Sequence, residues 1–307
     1  MKQIAVINDI SSFGGCSLAA AMAVLPVMGH RVCPLPTAVL SAQSEFPVYA
    51  SQDLTALMPR YTAAWQRNGE RFDAVCTGYF AGAAQMAAAE AFLDSFQTDS
   101  TLVLVDPVMG DNGALYPAYD RAACAQMQRL AARADVLTPN LTELCILTGT
   151  PYTSLTGGLA QIAALAKPLA QGRSVAVTGI PDGGDLCNLI MQNGDTAVVR
   201  AKRSGGRYSG TGDLFAAVLC GAMLHGSTAA QAADLAARFI ALAVADAARQ
   251  PVHPRYGVPF EAHLSYLIHE VTHHANDKST QKSEARSQNH RAGRHVCRAD
   301  CGGDGVY

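Results

Sequence analysis

Short apolar runs of β-favouring residues alternate along the chain with longer alanine-rich stretches. KQIAVIN precedes Cys16 to Met28, RVCPLPTAVL precedes Asp53 to Gln66, DAVCTGY precedes Ala81 to Phe96, and TLVLVDP precedes Arg121 to Arg133. DVLTPN and SVAVTGI continue the series. The runs are apolar throughout rather than alternating with polar residues. Both faces of each strand should therefore be buried, and helical crossovers between such strands build a parallel sheet. The pattern predicts a layered α/β architecture. It breaks at Leu186 to Arg203, where two β-type runs flank Asn193-Gly194-Asp195, a hairpin signal that places an antiparallel edge late in the sheet. Helical stretches follow at Thr211 to Leu224, Ala229 to Ala248 and Phe260 to Glu270. From about Thr272 large apolar residues nearly vanish, so residues 1–271 read as one domain and residues 272–307 as a polar, disordered tail.

Composition narrows the partners. Of 307 residues, 49% are hydrophobic and 16% charged, which suits a buried core, and the net charge of -2 provides no field to attract nucleic acid or an anionic membrane. A small-molecule partner fits better. The apolar start of MKQIAVINDI stops at Asn8-Asp9, too short for a signal peptide, and no run reaches a membrane-spanning length. The expected location is the cytoplasm. Of nine cysteines, seven (16, 33, 76, 124, 145, 187 and 220) lie among apolar or small residues without metal-ligand spacing and read as reduced core residues. His290, His295, Cys297 and Cys301 are zinc-ligand types, but their spacing matches no finger.

The stretch richest in chemistry is YSGTGDLFAA, Tyr208 to Ala217. Glycines let a ligand approach the backbone, and a loop running into a helix N-terminus presents unpaired N–H groups and the positive end of the helix dipole. Such a loop binds anions. It is also compatible with an ordinary glycine loop in which Asp213 is a favourable first-turn charge. A phosphate loop of the GxxxxGK[ST] type is excluded, since no lysine lies between Arg203 and Ala217, and Gly14-Gly15 is not the start of a dinucleotide fingerprint.

Two other stretches add polar groups at strand ends. TPNLTEL sets Asn140 and Glu143 three apart at a strand-to-helix junction. Their oxygens suit Mg²⁺, directly or through water, and the same pair is the pattern of a capping box. In VDPVMGDNGALY, Asp106 closes a buried apolar strand, where an unpaired carboxylate is costly, and Gly110 to Gly113 reads as a mobile loop.

Together GTGDLFAA, TPN-x-x-E, VDPVMGD and the TGY at 77–79 resemble the ribokinase superfamily, within it the pyridoxal/pyridoxamine kinase branch, over about residues 2 to 268. The resemblance implies a ribokinase-like three-layer α/β/α sandwich with a mostly parallel central sheet and a late antiparallel edge. It also implies ATP and Mg²⁺ as cofactors and a homodimer. Asp213 would be the general base for the substrate's hydroxymethyl group, with the N–H groups of Gly210, Thr211 and Gly212 as the anion hole. Asn140 and Glu143 would hold the metal or its waters. Asp106 would lie near the phosphates, Asp111 to Tyr116 would form a lid, and Thr178 and the Lys202 to Tyr208 loop would lie along the adenosine.

For the vitamin ring the resemblance implies Ser11, Ser44 and Tyr79. Here the family's SNHTG segment reads Ser41-Ala42-Gln43-Ser44-Glu45, a departure that bears on the substrate and leaves room for Gln43 to bond a ring substituent. The expected reaction is phosphorylation of pyridoxal, pyridoxamine or pyridoxine. The rivals are a hydroxymethylpyrimidine kinase, a catalytically silent vitamer- or nucleotide-binding protein, and a cysteine-nucleophile enzyme built on Cys76.

Overall fold

The computed structural model describes residues 1–202, 206–250 and 253–272. Its centre is a nine-stranded sheet in which six parallel strands carry the predicted apolar runs: β1 (Gln3–Ser11), β2 (Arg31–Leu40), β4 (Ala74–Thr77), β5 (Leu102–Val105), β8 (Val136–Leu137) and β9 (Ser174–Asp182). Ile4, Ala5, Ile7, Val75, Val103 and Leu104 are wholly buried, as strands covered on both faces require.

The late antiparallel edge is present. β9 turns into β10 (Asp185–Gln192) and β10 into β11 (Asp195–Lys202). At the second turn Asn193 and Gly194 take φ of 53° and 89°, the paired positive values of a tight hairpin turn. The opposite edge holds an element that the pattern does not predict. β3 (Ser51–Asp53) is three exposed residues paired antiparallel with β2. It displaces the expected start of the next helix, so α2 (Met58–Asn68) begins at Met58 with Pro59 in its first turn. A two-stranded hairpin, β6 (Gly110–Asp111) with β7 (Ala114–Leu115), occupies the expected mobile loop.

Helices cover both faces. On one lie α2, α3 (Ala83–Phe96), α4 (Arg121–Ala132), α5 (Leu141–Thr148) and α6 (Gly158–Ala166), over a core of Phe72, Phe92, Val105, Met127, Leu130 and Ile162. On the other lie α1 (Ser17–Val27), α7 (Thr211–Leu224) and α8 (Ala229–Ala247). α1 and α7 pack closely. A side chain at Gly221 would meet the Met28 thioether at 2.8 Å.

The sheet runs β11-β10-β9-β8-β5-β4-β1-β2-β3. From β1 the chain steps one way to β2 and then the other way to β4, so the connection reverses between β1 and β4. A crevice opens there, beyond the carboxyl ends of the strands. Met1–Leu267 form one compact unit, and Ile268–Tyr307 a second, of which 268–272 are described, as helix. The expected tail beyond 272, with its four candidate zinc ligands, lies outside the described residues.

Candidate active site

The end of β1 supplies the first polar groups. Asn8 is buried, and its Oδ1 accepts from the N–H groups of Asp9 and Tyr79 at 2.9 and 2.8 Å. Its Nδ2 donates to Asp213 Oδ1 at 3.1 Å. Gly78 is obligatory beside it, since a Cβ there would sit 2.3 Å from the Asn8 amide. Asp9, also buried, accepts from the Ser11 hydroxyl at 2.8 Å, which leaves the Ser11 oxygen free to accept from a ligand. Burial pushes the Asp9 carboxyl up from the ordinary value.

Asp213 lies in the first turn of α7. The helix is capped by Gly210 at φ 78° with no side-chain cap, so its first N–H groups face outward. The backbone N–H of Ser17, the first residue of α1, also favours the Asp213 anion, so two helix N-termini converge on one carboxylate. Both dipoles favour the anion, yet burial dominates and lifts its pKa to about 6. Ser17 itself adopts φ 54°, left-handed backbone that a non-glycine residue seldom takes and that clusters at functional sites.

Asp106 faces the same place from the end of β5. It accepts from Thr138 Oγ1 at 2.9 Å. Burial, then the charge of Asp213, raises its pKa to about 7. Glu143 is raised well above its ordinary value by burial and then by Asp106. The crevice thus gathers three carboxylates, the charge of Asp213 raising Asp106 and that of Asp106 raising Glu143. Tyr116, on the strand-end side of the β6–β7 hairpin, senses them all. Its phenol is raised to about 12 by burial, then Glu143, Asp106, Glu45 and Asp213.

Asn140 and Glu143 form the capping box that their spacing allows. Asn140 Oδ1 accepts from the N–H groups of Thr142 and Glu143 at 2.8 and 3.0 Å, and Glu143 Oε2 accepts from Asn140 N at 2.8 Å. Asn140 Nδ2 donates to the Gly110 carbonyl, Glu143 Oε1 accepts from Met109 N, and Gly113 N donates to Thr142 Oγ1. The pair therefore anchors the hairpin to α5 as well as capping the helix. Asp111 forms an ion pair with Arg207, joining the hairpin to the segment that leads into α7.

The other expected residues divide. Thr178 sits midway along β9 beside Asn140, its N–H donating to the Pro139 carbonyl at 2.9 Å. Tyr79 is half-buried at the end of β4, within electrostatic reach of Asp9. Ser44 is exposed in the loop between β2 and β3. Gln43 is turned inward: its amide bonds the Arg255 carbonyl and both the backbone N–H and carboxylate of Glu45, so it is engaged within the fold. Of the Lys202 to Tyr208 loop, residues 203–205 lie outside the described residues. The Cys76 thiol is held protonated by its neighbour Cys220 and by burial, which removes the basis for a cysteine nucleophile.

Asn8, Asp9 and Thr77 join the site although the sequence motifs assign them no role. The available signal was polar side chains closing apolar strands at their carboxyl ends, where an α/β sheet binds ligands.

Comparison with known proteins places this geometry. Residues 11–255 match the family model of phosphomethylpyrimidine kinase. A pyridoxine/pyridoxal/pyridoxamine kinase of Bordetella pertussis is 30% identical over 236 residues, 73% of this chain and 82% of that protein. The crystal structure of pyridoxal kinase from Lactobacillus plantarum superposes with a TM-score of 0.82 at 32% identity, covering 89% of this chain and 99% of that one. A candidate phosphomethylpyrimidine kinase from Bacteroides thetaiotaomicron, in a crystal form with pyridoxal, has a TM-score of 0.80 at 31% identity over 88% and 96% of the two chains.

Proposed function

The chain belongs to the phosphomethylpyrimidine kinase family, in its ribokinase-like pyridoxal kinase branch, and on that premise we propose that it transfers the γ-phosphoryl group of ATP to the primary hydroxymethyl group of pyridoxal, pyridoxamine or pyridoxine. One observation carries the reading: a carboxylate with pKa near 6 stands at the uncapped N-terminus of α7. That is a base poised for an alcohol beside donors for a phosphoryl group. Asp213 takes the hydroxymethyl proton as the alcohol oxygen attacks phosphorus. The N–H groups around Gly210, Thr211 and Gly212 receive the charge on the transferring group, and ADP leaves. Ser11, Ser44 and Tyr79 would contact the vitamer, and Asp106, Asp111 and Thr178 the nucleotide side.

The residues fit Mg²⁺ as a hydrated ion. Asp106 and Glu143 are buried like charges whose mutual repulsion a divalent cation would relieve. Among the described residues no three His, Cys, Asp or Glu side chains form a metal cluster. Magnesium commonly keeps several waters and takes one or two carboxylates plus substrate phosphates, which suits Asp106 with Glu143, whose orientation Asn140 fixes. When bound, the ion would neutralise charge on the phosphates. Two copies are expected to pair, which sedimentation would check. Among the described residues no helix is long and apolar enough to cross a membrane.

Rates with the three vitamers and with hydroxymethylpyrimidine, measured side by side, separate the vitamin reading from the pyrimidine reading that the family's description raises. Turnover confined to the pyrimidine would replace the proposal. The rate should also follow Asp213. Ionised base is required, so kcat/KM is expected to fall about tenfold per unit as pH drops below about 6, while an ordinary aspartate would stay active to near 4. A profile flat from pH 7 to 4.5 would contradict the assignment.

Glu45 gives a handle on vitamer choice. Its charge reaches Tyr116 together with the three crevice carboxylates, and pyridoxamine carries a cationic aminomethyl group where pyridoxal has a neutral aldehyde. Glu45→Gln is expected to lower the pyridoxamine-to-pyridoxal ratio of kcat/KM by about fivefold, the scale of one exposed charge pair. An unchanged ratio would take Glu45 out of substrate recognition.

A further inference from the structure

β4 ends on a hydroxyl with no protein partner. Thr77 is 4% exposed, and its Oγ1 makes no hydrogen bond among the described residues. A buried hydroxyl left unpaired costs about 1–3 kcal/mol, so native folds rarely keep one without something to complete it. The residue lines a small, partly open cavity of about 20 Å³ shared with Asn8, Ser17, Gly78, Asp106 and Asp213. That is room for one water, which needs about 10–15 Å³ and two to four polar partners.

The donors around the cavity are otherwise committed. Asn8 Nδ2 goes to Asp213, the Ser17 N–H favours the same carboxylate, and Thr138 Oγ1 goes to Asp106. Each carboxylate can accept more bonds than these, and among the described residues that line the cavity Thr77 Oγ1 is a fully buried donor without a partner. A single water closes the set: it accepts from Thr77 and donates one hydrogen to each carboxylate. It would also stand between Asp106 and Asp213, whose charge raises the Asp106 carboxyl.

We propose that Thr77 is a positioning residue of the phosphoryl transfer, its hydroxyl holding one buried water that bridges Asp106 and Asp213 and fixes the angle at which Asp213 meets the substrate alcohol. The inference rests on the reading of Asp213 as the base. It adds a residue that contacts neither substrate nor nucleotide and acts through the carboxylate behind which it lies.

Two measurements test it. Thr77→Val keeps the shape and removes the hydroxyl, so kcat is expected to fall about tenfold to a hundredfold, the scale of a misplaced catalytic group, with KM for ATP and vitamer changed by less than about twofold. Thr77→Ser restores the hydroxyl and should recover kcat to within about threefold of wild type. A valine variant with the wild-type kcat, or a serine variant as slow as valine, would overturn the role and leave Thr77 as packing. Should the valine variant not fold, the serine variant and a crystal structure decide. The wild-type crystal should show a water within hydrogen-bond distance of Thr77 Oγ1 and both carboxylates, and a dry cavity would refute the proposal. The crystal needs no turnover. A wild-type protein silent on every vitamer with that water in place would sink the proposed function alone, and an active one with a dry cavity would sink this inference alone.

Discussion

Asp213→Asn is expected to lower kcat about a thousandfold, within the range that a positioned general base contributes. The substitution preserves size, and its amide oxygen can still accept from Asn8 Nδ2, which lies 3.1 Å from Asp213 Oδ1. What it loses is the capacity to take a proton. Two controls separate this from damage to the fold. First, the phosphoryl donor should still bind, because the outward N–H groups of α7 belong to the backbone, so the Kd for ATP should change little. Second, the melting temperature should not fall. The Asp213 pKa is raised from 3.8 to about 6 by burial, so its ionised form costs stability at neutral pH, and a neutral amide removes that cost. The sign follows from linkage: the native state keeps this proton between pH 4 and 6 where the unfolded chain has lost it, so the contribution to stability declines as pH rises through that window. An asparagine variant that turned over at the wild-type rate would end the assignment of the base.

Gly210→Ala should be nearly as severe and for a different reason. Gly210 caps α7 at φ 78°, where an L side chain costs about 1–2 kcal/mol, and its new Cβ would lie 2.5 Å from the Gly15 carbonyl and 3.0 Å from the Cys16 Cα. Both are backbone atoms, so neither can swing away. Either the first turn of α7 or the loop into α1 must shift, and that loop leads directly into Ser17, whose N–H favours the Asp213 anion. A displacement of about 1 Å can cost a hundredfold in rate, so kcat should fall by that order and stability by about 2–4 kcal/mol. Gly212→Ala is the contrast for stability, since its Cβ would meet nothing within 4 Å. Its melting temperature should stay near wild type. Equal melting temperatures for the two variants would show that the close contact at Gly210 is not what the helix start depends on.

These contacts mark where the sequence is legible and where it is not. The six buried parallel strands follow directly from uninterrupted apolar runs, and the β10–β11 turn from Asn193-Gly194. The anion-binding helix start is legible because its glycines and its acid lie side by side in the chain. β3 is not, since Ser51–Asp53 carry no apolar pattern and pair only because β2 offers an open edge. α6 and the two-residue strands of the hairpin likewise lack a period long enough to read. The dual role of Asn140 and Glu143, cap and hairpin anchor, depends on Gly110 and Met109 some thirty residues away. Asn8 is the clearest case. Its contact with Asp213 spans 205 residues, and only the return of α7 against α1 turns a polar strand end into a support for the base. Local chemistry can be read from neighbours in sequence, whereas the groups that tune it are neighbours only in the fold.

Product formation from purified protein with Mg-ATP and each vitamer, followed by mass and ³¹P spectra, tests the phosphoryl transfer itself. One phosphate is expected on the hydroxymethyl oxygen of pyridoxal, pyridoxamine or pyridoxine, with one ADP per phosphate, and next to none with Asp213→Asn. Phosphate transferred to no vitamer by the wild-type protein, or transferred equally well by the asparagine variant, would contradict it.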